Sequence, residues 1–329
     1  MPANLPPQYF EIEKRLKATT DPDDRIAIME ELLSIIPKHK GTEKLQAMYK
    51  TKISKLRSSS QKKAAKSKHG SSHKIKKSGA GQVVLIGPPN SGKSALVESL
   101  TDIKLQVSDY PFTTTAAFPA MLKYENIQIQ LVDTPPITPD YMEIWYPDLI
   151  KSSDAVLLLI DPTSSSTHDV LGSIIQKLKE KRIEFVSQAQ GPGEDRITVY
   201  KKCLLIANKS DLPDFSEKLK AFTQGLENQF EVLAVSAFSG QGLEDLAKRI
   251  FLLLDIIRVH SKVPGKKVEY DSPYTLAKGS TVLDMAKAVH KDFAHKLKFA
   301  RIWSKNKYDG QRVNRNYILV DEDVIELHI

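Results

Sequence analysis

The chain has 329 residues, 41% of them apolar and 27% charged, and carries a net charge of +8 at neutral pH. That length allows two domains and a smaller appendage, with enough aliphatic residues for a sizeable core. No run of about 18 apolar residues is present, which excludes a transmembrane helix, and residues 1–10 show no charged-then-apolar leader pattern.

Cys203 is the single cysteine, so an internal disulfide is impossible and a cysteine-built metal site is disfavoured. The expectation is a cytoplasmic protein without a membrane partner. Its basicity is local. From Lys50 to Lys77 there are eleven Lys or Arg and no Asp or Glu, which leaves the rest of the chain at net −3.

Residues 1–57 predict a helical N-terminal region. Tyr9, Ile12 and Leu16 recur at helical spacing. Asp21-Pro22-Asp23-Asp24 offers a cap, a first-turn proline and acidic residues for a helix striped by Ile26, Met29, Leu32, Leu33 and Ile36. Beyond Pro37 and Gly41, Thr42 can cap a third helix carrying Leu45, Tyr49, Ile53 and Leu56. These stripes either pack on the chain's own domain or dock a partner. Residues 58–80 are rich in Ser, Lys and Gly, which predicts a flexible basic linker. It is either a solvated tether or a polyanion-binding arm, RNA first, since concentrated cations gain affinity by releasing counterions. No aromatic residue interrupts its lysines, so base stacking is not indicated there.

From residue 81 to about 260, apolar runs alternate with helical stretches, the pattern of an α/β domain with a mainly parallel sheet. Strands are predicted at 83–86, 127–132, 155–160, 203–207 and 232–235. Residues 265–329 predict a small α+β module with a helix around 282–290 and a last strand through Val324-Ile325-Glu326-Leu327.

The chemistry sits at the ends of the predicted strands. Gly87-Pro88-Pro89-Asn90-Ser91-Gly92-Lys93-Ser94 follows the first strand and precedes a helix, as a P-loop does. Its backbone N–H groups can curl around phosphates, Lys93 can bring charge to the β- and γ-phosphates, and Ser94 can give Mg²⁺ a hydroxyl. Asp133-Thr134 follows the strand at 127–132, where a nucleoside triphosphatase holds Mg²⁺ through water. Asn208-Lys209-Ser210-Asp211 follows the strand at 203–207. A carboxylate at Asp211 can accept both N–H donors of guanine, and adenine offers no matching pair. Ser236-Ala237 then brings a backbone N–H near the guanine carbonyl. Each motif alone is weak, but four in this order and spacing predict a site for GTP and GDP.

With these motifs in place, Asp109-Tyr110-Pro111-Phe112-Thr113-Thr114 resembles the switch I signature of the Obg-like GTPases. The resemblance implies that Thr114 reaches Mg²⁺ in the GTP state, with Phe112 and Thr113 beside the nucleotide. Residues 290–293, 298–303, 310–313 and 321–324 are similar to a TGS domain, which implies a ubiquitin-like β-grasp fold. The order of helical N-terminus, G domain and TGS domain resembles the developmentally regulated GTP-binding proteins. That likeness implies association with ribosomes or RNA, through the basic arm and the TGS domain, and leaves room for a regulatory protein partner.

Three departures stand against the resemblance. The stretch from Leu178 to Cys203 is too short for the domain those proteins insert, and Asn314 stands where the TGS motif has glycine. Most important, Asp133-Thr134-Pro135-Pro136 replaces Asp-x-x-Gly, so the N–H that normally reaches the γ-phosphate is missing. Ile137 follows where many GTPases place a water-orienting glutamine. Related GTPases hold K⁺ with the asparagine at the position of Asn90; otherwise Asn90 only shapes the loop.

Lys93, Thr114 and Asn90 are the candidates for catalysis, with no general base or arginine finger in sight. The leading expectation is a slow Mg²⁺-dependent GTPase acting in translation. The rival is a GTP-binding scaffold with little or no hydrolysis, and an ATPase of the Obg-like group is disfavoured by Asp211.

Overall fold

The computed structural model describes residues 75–101, 103, 116–186, 197–224, 229–304 and 309–329, together with scattered helical positions between 12 and 52. The chain forms two compact units, Met1–Lys74 and Ile75–Ile329. In the first, the described positions 12, 16, 28, 29, 31–33, 47, 48, 51 and 52 are all helical. Met29 and Leu32 of the predicted second stripe are fully buried, and Ile12 is buried as well. Tyr9, Ile26, Ile36, Leu45, Tyr49, Ile53, Leu56 and the basic segment 58–74 lie outside the described residues.

The predicted linker ends earlier than its composition suggests. Residues 75–80 lie on the second unit: Ile75 packs against the core, Gly79 bridges to Ile129, and Ala80 N–H donates to Gln128 O at 2.7 Å. Lys77 forms an ion pair with Asp154 and is therefore not a free cation of the arm.

Two sheets organise the second unit. In the larger one, β1 (Gln82–Ile86), β4 (Ala155–Ile160), β6 (Val199–Ala207) and β3 (Ile127–Asp133) lie at the centre. β2 (Phe118–Tyr124), β5 (Ile183–Val186) and β7 (Glu231–Ala234) complete it, in the order β2-β3-β1-β4-β6-β5 with β7 also paired to β6. All pairs are parallel except β2 with β3. β1 and β4 are buried at every residue, which is why β4, and β1 after its first residue Gln82, read as unbroken apolar runs.

The helices α1 (Lys93–Leu100), α2 (Tyr146–Ser152), α3 (Thr167–Glu180), α4 (Phe215–Thr223) and α5 (Leu243–Leu253) connect these strands. Two core clusters cover the sheet's two faces, one around Leu85, Leu96 and Ile250 and the other around Ile86, Tyr146 and Ile174.

β2 escaped the sequence reading because it is an edge strand. It carries Pro119 near its start and exposes Phe118 and Pro119. β6 starts four residues before its predicted start because only its second half is fully buried.

The smaller sheet runs β11 (Gln311–Val313), β10 (Phe299–Trp303), β12 (Asp323–His328), β8 (Ile256–Ser261) and β9 (Tyr274–Ala277). α6 (Val282–Val289) contributes Val282, Met285 and Ala286 to the core of this module, and α7 (Lys291–Lys296) follows it. α6 starts at a capping box in which Thr281 and Asp284 satisfy each other's backbone N–H groups. β8 corrects the predicted boundaries: residues 256–261, assigned in part to the preceding domain, are a strand of the smaller sheet.

The two sheets meet at Arg258 of β8, whose side chain is 6% exposed. It pairs with Asp321 and Glu322 of its own module and with Glu125 at the tip of the β2–β3 hairpin. Its guanidinium also lies 5.0 Å from the ring centroid of Phe251 on α5. Asn126 Nδ2 adds a 3.1 Å hydrogen bond to Tyr270 O.

Removing one partner of a buried ion pair costs about 3–5 kcal/mol because the other charge is stranded. Glu125, Asp321 and Glu322 keep a third or more of their surface in water. Arg258→Ala is therefore expected to cost less, about 2 kcal/mol in urea unfolding, and Glu125→Ala under about 1 kcal/mol. Equal costs for the two variants would show that Arg258 is not the centre of the junction.

Candidate nucleotide site

The site is assembled at the carboxyl ends of β1, β3, β6 and β7. Residues 87–92 leave β1 and curl toward α1. Gly87 (φ 153°) and Gly92 (φ 88°) take backbone angles and close approaches that a side chain would forbid. A Cβ on Gly87 would lie 2.3 Å from Leu159 O, and one on Gly92 would lie 2.2 Å from the Asn208 amide nitrogen.

Lys93 Nζ folds back into this loop, donating to Gly87 O at 3.1 Å and Pro88 O at 2.9 Å. Burial lowers its pKa to about 8, against the opposing pull of Asp133. Ser91 closes the turn by donating to Pro88 O at 2.9 Å. Asn90 is exposed, takes a left-handed φ of 58°, and borders a cavity of about 330 Å³ with Pro88, Pro89, Thr138 and Asp161.

Asp133 reaches the same place from β3. Ser94 Oγ donates to Asp133 Oδ2 at 2.6 Å, while Asp133 Oδ1 is buried with no hydrogen-bond partner. Burial raises the Asp133 pKa, with Ser94 and Lys93 opposing. A buried carboxylate oxygen without a partner, beside a serine hydroxyl, fits a hard oxygen-seeking cation such as Mg²⁺. Phe112, Thr113 and Thr114 lie outside the described residues.

The segment after Asp133 is pinned. Thr134 donates to Leu85 O and touches the Tyr146 hydroxyl, which lies 2.9 Å from Pro135 O. Tyr146 is fully buried, and burial pushes its pKa up. Ile137 is also fully buried, and its N–H donates to Gly87 O at 3.1 Å. Ile137 therefore occupies core at the position expected for a water-orienting side chain, and its N–H already has an acceptor. Tyr146 had no sequence signal, because a tyrosine at the start of a helix reads as ordinary core.

On the base side, a cleft of about 370 Å³ is lined by Gly92, Asn208, Lys209, Asp211, Leu212, Ala237 and others. Asn208 is 2% exposed and both ends of its amide are used. Nδ2 donates to Ser91 O at 2.9 Å and Oδ1 accepts from Ala237 N–H at 3.1 Å. Asn208 is thus a bridge between the two loops; and the Ala237 N–H, expected on the guanine carbonyl, is engaged by Asn208 here.

Lys209 Nζ pairs with Asp161 Oδ2 at 2.7 Å. Burial would raise the Asp161 pKa, but bonds from Lys209 and Thr163 hold it below the usual range. Asp211 is exposed at the cleft and accepts from Ser236 Oγ at 2.5 Å. Phe238, 93% exposed at the cleft rim, and Leu212 were missed because neither belongs to a motif.

Residues 82–202 match the family described as 50S ribosome-binding GTPase, and residues 257–329 match the TGS domain. A GTP-binding protein of Methanocaldococcus jannaschii is 29% identical, over 93% of each chain. The developmentally-regulated G-protein 1 of Arabidopsis thaliana is 26% identical, over 92% of this chain and 90% of its own. The archaeal alignment spans 367 positions, more than this chain has residues, so the relative carries segments that this chain lacks.

Among solved structures, the YchF GTPase of Schizosaccharomyces pombe shares the fold, with a TM-score of 0.55 at 13% identity over 77% of this chain and 99% of its own. The chain therefore carries a GTPase domain of the 50S ribosome-binding GTPase family followed by a TGS domain, and along most of its length it is similar to the developmentally regulated GTP-binding proteins.

Proposed function

We propose that the protein is a slow Mg²⁺-dependent GTPase that works on ribosomes or RNA, and that its switch II stays fixed while switch I reports the nucleotide. The observation that carries the reading is the pinned segment 133–137 beside an otherwise complete P-loop. Phosphates replace the carbonyls of Gly87 and Pro88 as partners of Lys93, which leaves them unburdened to shape the loop. Ser94 and Asp133 would hold Mg²⁺, which neutralises charge on the β- and γ-phosphates.

Asp211 faces the base through its carboxylate, held in place by Ser236. No switch II side chain orients the attacking water, because Ile137 is in the core. Turnover without a stimulating partner should then fall near the unassisted range of about 10⁻⁴–10⁻³ per second. K⁺ beside Asn90 would supply positive charge where no arginine is present. The Asp-Thr-Pro-Pro sequence also supports the second reading, a GTP-binding scaffold. Single-turnover hydrolysis with and without ribosomes separates the two.

Three measurements test the parts. Asp211→Asn should weaken GTP binding and favour xanthosine triphosphate, whose ring carries a carbonyl in place of the guanine amine. Retention of wild-type GTP affinity would remove Asp211 from the base pocket.

Lys93 gives a pH dependence. Its pKa is lowered to about 8 in the nucleotide-free protein and must rise when phosphates bind. Below that pH the ammonium is already formed. Above it, binding must take up a proton, so GTP affinity should fall with rising pH, approaching about ten-fold per unit. A flat profile from about pH 7 to 9.5 would contradict the assignment of Lys93 to the phosphates.

Pro136→Gly restores an N–H for the γ-phosphate. A bond to a charged acceptor contributes about 1.5–3 kcal/mol, so GTP should tighten relative to GDP by about ten-fold or more. An unchanged ratio of the two affinities would sink the fixed-switch reading.

A further inference from the structure

The small sheet has one buried and one open face. Ile257, Val259, Ala300, Ile302, Val313 and Ile325 fill its core. Residues of the opposite parity point the other way. On β8 that other face is covered at the junction with the G domain, where Arg258 meets Glu125 and Phe251. On β12 Val324 and Glu326 of that face are buried too, and it opens along β11 and β10 and at the end of β12, where it carries exposed Arg312 and Arg301 and half-buried Phe299 and His328.

Three planar groups stand in a row across those strands. The Arg312 guanidinium lies 4.1 Å from the Phe299 ring centroid. The His328 ring stacks on Phe299 with centroids 4.4 Å apart and planes 10° from parallel. Nearby, Lys262 Nζ lies 4.4 Å from the ring centroid of Trp303.

The charges here are not arranged for the sheet's own stability. Arg301 sits directly opposite Arg312 in the β10–β11 register, and like charges so placed are destabilising. Across the other strand Arg301 faces Glu326. Glu326, however, is engaged by Lys262 and by His328 Nε2 at 2.8 Å. Among the described residues the Arg301 side chain has no hydrogen bond or ion pair, and the Arg312 side chain has only the Phe299 ring. Two exposed guanidiniums held side by side next to a column of stacked planes suit a ligand that is both anionic and flat-ringed.

We propose that this open face binds single-stranded RNA, with unpaired bases extending the Arg312–Phe299–His328 stack and phosphates satisfying Arg301. The proposal rests on the reading that the protein associates with RNA, and it assigns the contact to this face. A duplex hides its base faces, and an acidic peptide would use the arginines but not the stack. Stacking on aromatic planes combined with basic side chains is the general mode of single-strand recognition.

The test uses the full chain and a fluorescent single-stranded RNA of about 12 nucleotides, followed by anisotropy across a salt series. Arg301→Gln should weaken binding about ten-fold, as expected for one lost charge-assisted contact. It should also make the salt slope shallower by about one. Its melting temperature should stay the same or rise, because a like-charge pair has been relieved. Phe299→Leu should lose about ten-fold or more by removing the stack, with GTP affinity unchanged in both variants.

A variant at Arg301 that loses stability together with RNA binding would overturn the proposal. So would RNA binding that survives both substitutions but disappears when Lys62, Lys63, Lys66 and Lys68 are neutralised; the RNA association itself would then stand. Competition by an acidic peptide but not by unlabelled single strand would reassign the face to a protein partner. No RNA binding by the wild type at any salt would remove the broader reading as well.

Discussion

The amide of Asn208 is the contact on which the nucleotide site depends. One end holds the P-loop through Ser91 O and the other holds the base loop through Ala237 N–H. The two loops come from distant parts of the chain, one after β1 and the other after β7. A buried amide with both ends satisfied fixes their separation, and Gly92 is required because any Cβ would collide with it. The bridge makes the order of motifs along the sequence meaningful: each motif ends a strand, and the parallel sheet brings all the ends to one edge.

Against that rigid frame, the switch II entry is built as an extension of the core. Pro135 and Pro136 donate no backbone N–H, so the loop's hydrogen bonds come from elsewhere. Thr134 is held by Leu85, Pro135 O by Tyr146, and Ile137 N–H by Gly87. A segment that reports the γ-phosphate needs a donor free to change partners. Here the donor present, Ile137 N–H, is bonded to the P-loop itself. Asp133 keeps one buried oxygen without a hydrogen-bond partner in this setting.

The smaller module is tied to the same machinery through the β2–β3 hairpin. Its far end carries Glu125, bonded to Arg258, and its near end carries Asp133 paired with Phe118. A displacement of the hairpin would therefore reach Arg258 and the module's edge. That contact also explains why one part of the module's outer face is covered while the strands farther from the G domain are left open.

The sequence determined the elements whose identity is local. Strand β4, and β1 after Gln82, are apolar runs because both faces are buried, and the loop that follows β1 carries residues chosen by backbone geometry, as at Gly87 and Gly92. The α/β domain was legible from the order of its motifs, and the TGS module from its resemblance to that family. Tertiary structure decided what depends on partners far apart in sequence. Edge strand β2, with Pro119 and exposed side chains, has no pattern of its own and exists because β3 pairs with it. Strand β8 joins the smaller sheet because β12, more than 60 residues later, accepts it. Asn208 reads in sequence as a base contact, yet its amide is consumed by Ser91 and Ala237. Tyr146 reads as core, yet its hydroxyl holds the backbone at Pro135. Hydrogen bonds satisfied across the fold leave no trace in local composition, because the donor and its acceptor are set by where the chain returns.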